Sequence, residues 1–233
     1  MIVNRHVGTQ SPHNGLGPNV LNVPAQWDGF PKASASNVVW TTANYLTSTV
    51  NSMGYSAAPT TQPDYARNIC VKLVPNSGSA GLYSAGSVII YGRDVFGSSR
   101  SEAFAVTGAI GSASAPTYGS VNFANVDTVS FRGVVFHTAS SSARSDVSFY
   151  VGVGQKVGLP VPLVSADAVY QVVQGTSRMS TYTASGSTSN NQFTAVTGDY
   201  YVNGVSLSAV HNSASNLRVE YKNLGWMAPY GSY

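Results

Sequence analysis

The chain has 233 residues, of which only 9% are Asp, Glu, Lys or Arg, against roughly a quarter in ordinary soluble domains. With 43% hydrophobic residues and 14 tyrosines it is too apolar to be disordered, and it is long enough for one large β domain or two small ones. The net charge of +3 comes from 12 cations scattered among 9 anions; no basic run marks a nucleic-acid surface, and no direct nucleic-acid contact is expected.

Neutral hydroxyl and amide surface is cheaper to desolvate at a contact than charged surface. A chain that gives up charge while keeping this much apolar and tyrosine content reads as an assembly protein. Met1-Ile2-Val3-Asn4-Arg5-His6 has no apolar secretory core, and no apolar run approaches the ~18 residues of a membrane span. Synthesis in a cytoplasm and no membrane partner are therefore expected.

Residues 1–36 carry Gly8, Pro12, Gly15, Gly17, Pro18, Pro24, Gly29 and Pro31. That density breaks both helical and strand periods and predicts an extended N-terminal arm. Trp27 and Phe30 would anchor it, on the body of the protein or on a neighbour. From residue 37 to 233 the pattern is that of a β-sandwich domain, with two small β subdomains as the alternative division. Val38-Val39-Trp40 and Tyr45–Val50 look like strands, although a short helix over 41–53 competes. Further strands are predicted at 68–74, 86–93, 101–107, 120–123, 126–137, 146–153, 168–174, 179–184, 192–197, 200–210 and 216–222. Period-two alternation is clearest in Ser101–Thr107 and Arg218–Lys222. The tracts 111–117, 138–145 and 184–191 read as loops. Many short strands separated by Gly, Asn and Ser predict an all-β fold, an antiparallel sandwich of jelly-roll or related type.

The single cysteine, Cys70, excludes an internal disulfide and reads as a small core hydrophobe within Asn68–Leu73. Gly86–Gly97 is a strand entering a tight turn, with Asp94 as side-chain cap and Gly97 at positive φ. Glu102 starts the return strand. The uncharged tail Gly225-Trp226-Met227-Ala228-Pro229-Tyr230-Gly231-Ser232-Tyr233 is rich in aromatics, which dominate interface energetics. Trp226, Met227, Tyr230 and Tyr233 therefore join Trp27 and Phe30 as candidate partner-interface residues.

The order of three segments resembles a family of tailed-phage virion structural proteins. The first is the strand with G-x-D-x-x-G (Gly92, Asp94, Gly97), followed by Glu102 and by Phe123, Val126 and Val129. The second, Val151-Gly152-Val153-Gly154-Gln155-Lys156-Val157-Gly158-Leu159-Pro160, is similar to the "vG-x-G-x-K-x-G-L-P" stretch of such proteins. The third is Thr197-Gly198-Asp199, then Asn203-Gly204 and the strand Arg218–Tyr221. Tyr200-Tyr201 stands where an Arg-Gly is common. The resemblance covers residues 85–222 in patches and not the arm. It implies a non-enzymatic decoration or cement protein on the capsid surface of a virion. Its partners would be the major capsid protein and its own copies, as a homotrimer.

Other chemistries fit poorly. Gly152-x-Gly154-x-x-x-Gly158 has the wrong spacing for a dinucleotide loop, and Leu159-Pro160-Val161-Pro162 stops any following helix. Lys156 there reads as a solvated charge on a Gly-rich turn. His6, His13, His137 and His211 form no zinc pattern, and Ser140 near His137 and Asp146 lacks a nucleophile elbow. Asp94 and Asp199 serve turns, and Glu102 and Glu220 read as outward-facing on strands, which leaves no carboxylate pair for glycosidase chemistry. No catalytic residue, cofactor or metal site is expected. A tail-tube, tail-tip or head-fibre component, and a carbohydrate-binding adhesin module, are the competing functions.

Overall fold

A computed structural model describes residues 22–32, 35–42, 53–75, 81–84, 87–105, 109–110, 116–137, 147–181, 192–207 and 214–224. In chain order the strands begin with β1 (Asn22–Gly29), β2 (Ala35–Thr42), β3 (Met53–Ala57), β4 (Arg67–Pro75), β5 (Gly81–Ser84) and β6 (Ser87–Arg93). They continue with β7 (Ser99–Ala105), β8 (Ala109–Ile110), β9 (Thr117–Phe123), β10 (Asn125–His137), β11 (Val147–Val157) and β12 (Val169–Gln174). The last are β13 (Ser177–Arg178), β14 (Ser180–Thr181), β15 (Gln192–Val196), β16 (Gly204–Leu207) and β17 (Leu217–Leu224). The one helical turn among the described residues is the 3-10 turn Ala166–Ala168. The fold is all-β, as the strand grammar requires; the pairings of β10, β4 and β17 are antiparallel, and β14 pairs with β15 in parallel. No helix among the described residues is long and apolar enough to cross a membrane.

The chain divides into two compact units, residues 34–158 and residues 1–33 with 159–233. The continuous unit is a sandwich. One sheet centres on β10, which pairs with β6, β3 and β5, and β7 extends it beyond β6. The other contains β11 between β2 and β4, with β9 beyond β4. Val88 and Ile90 of β6, Phe104 of β7 and Val126 and Val129 of β10 come from the first sheet. Val39, Ile69, Val71, Phe123, Val151 and Val153 come from the second, and together they form one buried apolar cluster. Alternation puts them inside: along β6 each second side chain is buried. Cys70 is also buried in this unit, where burial pushes its thiol up to about 11, against weaker lowering by a Gly152 backbone hydrogen bond and by Arg67 and Lys72.

The discontinuous unit carries the sheet β1-β17-β12-β13 and the pairing of β15 with β16. Leu217, Val219 and Tyr221 of β17 are buried, with Arg218 exposed between them. The period-two pattern of that segment thus marks a real strand.

Four sequence expectations change. Residues 22–29, assigned to an extended arm, are strand β1, paired with β17 from Asn22↔Leu224 to Gly29↔Leu217. Pro24 is accommodated because β1 is the edge of its sheet and needs donors on one side only. Residues 200–203 are a turn, and the strand there begins only at Gly204, as Gly204–Leu207, with 208–210 outside the described residues. The Gly-rich stretch 151–157 continues β11 instead of forming a turn. Finally, β3, β5 and β8 are strands where none was expected. Residues 43–50, and most of the expected loops at 111–117, 138–145 and 184–191, lie outside the described residues.

Candidate functional site

The β6–β7 turn is built as its sequence requires. Asp94 Oδ1 accepts the N–H groups of Phe96 at 2.9 Å and Ser98 at 3.0 Å. Its other oxygen takes the Arg100 guanidinium at 2.8 Å. Gly97 has φ 81°, a region costly for residues with a Cβ. The capped turn carries Val95, 40% exposed, and Phe96, 60% exposed. At the base of this hairpin a Cβ on Gly92 would lie 2.8 Å from Phe123 Cδ1. The first glycine and the phenylalanine of the first motif are therefore complementary surfaces.

The second motif joins a polar network at β4. Two steps along β4, Arg67 to Ile69, face four along β11, Val157 to Val153. On its other side Asn68 to Cys70 face Asn122 to Tyr118 of β9. Both neighbours of β4 therefore bulge at one level, which leaves backbone groups outside the regular ladder. Asn68 serves both bulges. Its Nδ2 donates to the Gly119 carbonyl at 3.0 Å, and its Oδ1 accepts the Lys156 N–H at 3.0 Å. The Lys156 ammonium spans from one bulge to the other and donates to the Ser120 carbonyl. From the opposite sheet, Glu102 Oε1 accepts Ser120 N–H at 2.6 Å and Oε2 accepts Val121 N–H at 3.3 Å. Arg67 donates to the Gly154 carbonyl and to Asp64 at 3.2 Å.

These bonds explain the glycines. A Cβ on Gly154 would come within 2.6 Å of the Asn68 Cγ, and one on Gly158 within 2.6 Å of Asn122 Nδ2. Gly154 and Gly158 thus make room for carboxamides inside a sheet. Burial lowers the Lys156 pKa to about 8, opposed by the charge of Glu102. Burial also lowers Arg67, offset by Asp64. The expectation of a solvated turn charge at Lys156 is overturned: the side chain is buried on β11 and its ammonium donates to the Ser120 carbonyl. Glu102 likewise does not face outward. It lies on the same face of β7 as buried Phe104 and ties β7 to β9.

In the discontinuous unit the end of the second motif meets the third. Asn203 is fully buried; its Oδ1 accepts Leu159 N–H at 3.3 Å, and its Nδ2 donates to the carbonyls of Val161 and, at 3.3 Å, Gly198. Leu163 and Gly198 exchange two backbone hydrogen bonds, at 2.9 and 2.8 Å. The Asp199 carbonyl closes the turn by accepting from Val202 and Asn203, both at 2.9 Å. Every motif residue traced in this way supports the local backbone.

The candidate interface residues fare differently. Trp27, 9% exposed, is buried opposite Val219 on β17, anchored on the body of the protein; it alternates inward with Ala25 along β1. Phe30 follows the end of that strand and is 56% exposed. Trp226, Met227, Tyr230 and Tyr233 lie outside the described residues. Among exposed apolar residues the sequence reading missed Val95, Phe96, Tyr118, Val164 and Tyr170; Phe96 was accessible to it, because a large apolar residue inside a Gly/Asp turn has no core to face. Asn68 and Asn203 carried no comparable signal. Among the described residues no group of His, Cys, Asp and Glu is arranged to hold a metal ion.

Compared with protein-family models, curated proteins and solved structures, the chain matches none.

Proposed function

We propose that this chain is a non-enzymatic structural component of a tailed-phage virion, which decorates the capsid and stabilises it by bridging neighbouring major capsid subunits. The observation that carries the reading is the β6–β7 turn, which holds Val95 and Phe96 out to solvent on a backbone fixed by Asp94 and Arg100. A fixed apolar tip loses little conformational freedom on docking, which lowers the cost of association. The scarcity of charge supports it, and so does the resemblance of the three motifs. Each contact needs on the order of 1,000 Å² to be specific, and many copies convert modest contacts into avidity. A closed homotrimer presents the tip three times about one axis.

A carbohydrate-binding module is the second reading, favoured by the exposed rings of Tyr118 and Tyr170. Sedimentation of the purified chain, with glycan binding measured in parallel, separates the two. The structural reading predicts association into a discrete homo-oligomer and no glycan binding. A monomer at every concentration that binds glycans would overturn it.

A further inference from the structure

We propose that Lys156 and Asn68 form an intramolecular isopeptide cross-link between β11 and β4, with Glu102 of the facing sheet carrying the proton. The inference is independent of the virion reading.

Strand β4 lies between β11 and β9. The Lys156 side chain starts on β11 and ends on the Ser120 carbonyl of β9, so it spans the width of β4 at the level of Asn68. The two reacting groups bind consecutive carbonyls of one bulge: Asn68 Nδ2 is 3.0 Å from the Gly119 oxygen, and Lys156 Nζ is on that of Ser120. Both side chains are buried, at 6% and 5% exposure. Anchoring both groups on one buried bulge confines them to a common site, which raises their effective concentration.

The surroundings supply the rest of the chemistry. The Asn68 carbonyl oxygen accepts Lys156 N–H at 3.0 Å, a donor placed to stabilise the oxyanion of a tetrahedral intermediate. Desolvation favours the neutral, nucleophilic amine of Lys156. Glu102 is one residue away through Ser120, whose N–H it holds at 2.6 Å while the Ser120 carbonyl holds Nζ. In the reaction Nζ attacks Asn68 Cγ and a C–N bond forms. The proton lost by Nζ passes through the Glu102 carboxylate to Nδ2. The Cγ–Nδ2 bond breaks and Nδ2 leaves as ammonia. An amine and a carboxamide become an amide and ammonia, with no oxidant or co-reactant. The product closes a loop between residues 88 positions apart, which restricts the unfolded chain as a disulfide would.

The test is the intact mass of the full chain, measured denatured after purification and again after prolonged incubation of the folded protein. The cross-link predicts a mass about 17 Da below that of the sequence, and a branched peptide joining Lys156 to Asn68 after proteolysis. Lys156→Arg, Asn68→Ala and Glu102→Gln should each show the full mass. The branched peptide is read from the unmodified sequence, so the test stands whether or not the variants fold. The full sequence mass after incubation would overturn the proposal. So would a deficit that persists in Lys156→Arg, because a cyclised asparagine such as Asn203 before Gly204 also loses ammonia. A cross-link formed in Glu102→Gln would overturn the role given to Glu102.

Discussion

Asn203 bonds to backbone groups of Leu159, Val161 and Gly198 from a fully buried position. A chain poor in charge relies on carboxamides of this kind to satisfy irregular backbone. Asn203→Ala strands the Leu159 N–H and the Val161 carbonyl, while the Gly198 carbonyl keeps the Leu163 N–H, and should cost on the order of 3 kcal/mol, read as a lower denaturant midpoint. Gly154→Ala forces a methyl group onto the Asn68 carboxamide and should destabilise by about 1–3 kcal/mol; combined with Asn68→Ala it should cost less than the sum of the two single losses, whereas additive losses would separate the two sites. Cys70 gives a pH dependence with a definite sign. Its thiol ordinarily titrates at 9.0, and in the fold at about 11. The folded state therefore keeps a proton that the unfolded state releases, and this contribution is complete below pH 9.0 and lost as pH rises to about 11. The difference in thermal midpoint between the native sequence and Cys70→Ala should narrow over that interval, since other titrating groups cancel. A constant difference would contradict the raised thiol. At this scale the sequence was legible where chemistry is local: Asp94 and Gly97 declare a turn by themselves. Lys156 was misread because the two bulges that bury it depend on pairings across β4, which no local window contains.

The same distinction governs the elements. The strands β4, β6, β9, β10, β11, β12, β15 and β17 announce themselves through β-branched runs and alternation between Gly, Ser and Asn breaks. β1 was obscured by Pro24 and by the Gly/Pro density of its flanks, and β5 and β8 are too short to establish a period. β1 supplies one of the two neighbours of β17, through eight paired positions. Removing residues 1–21 should leave hydrogen-exchange protection of the β17 amides intact. Removing residues 1–29 should collapse it. Equal protection in both truncations would show that the β1–β17 ladder contributes no stability. The β6–β7 turn behaves oppositely, because its apolar side chains face solvent. Phe96→Ser should change the thermal midpoint little, yet weaken self-association or particle binding by roughly tenfold or more, as the loss of an aromatic anchor does.

For the whole molecule, scarce charge has two structural counterparts. Most of the described ionisable groups that are buried are engaged: Arg67 with Asp64, Asp94 with Arg100, Lys156 with the Ser120 carbonyl. The large exposed side chains include aromatic ones, Phe30, Phe96, Tyr118 and Tyr170. The all-β class was readable from composition and turn spacing. The division at residues 33–34 and 158–159 was not, because a unit assembled from both ends of the chain has no linker composition to mark it. Whether this chain decorates a capsid is decided by locating it in the density of purified particles. A decoration protein places its copies on the outer surface of the shell, each touching more than one major capsid subunit. Particles that contain no copy of the chain, or carry it only inside the shell, would refute that role.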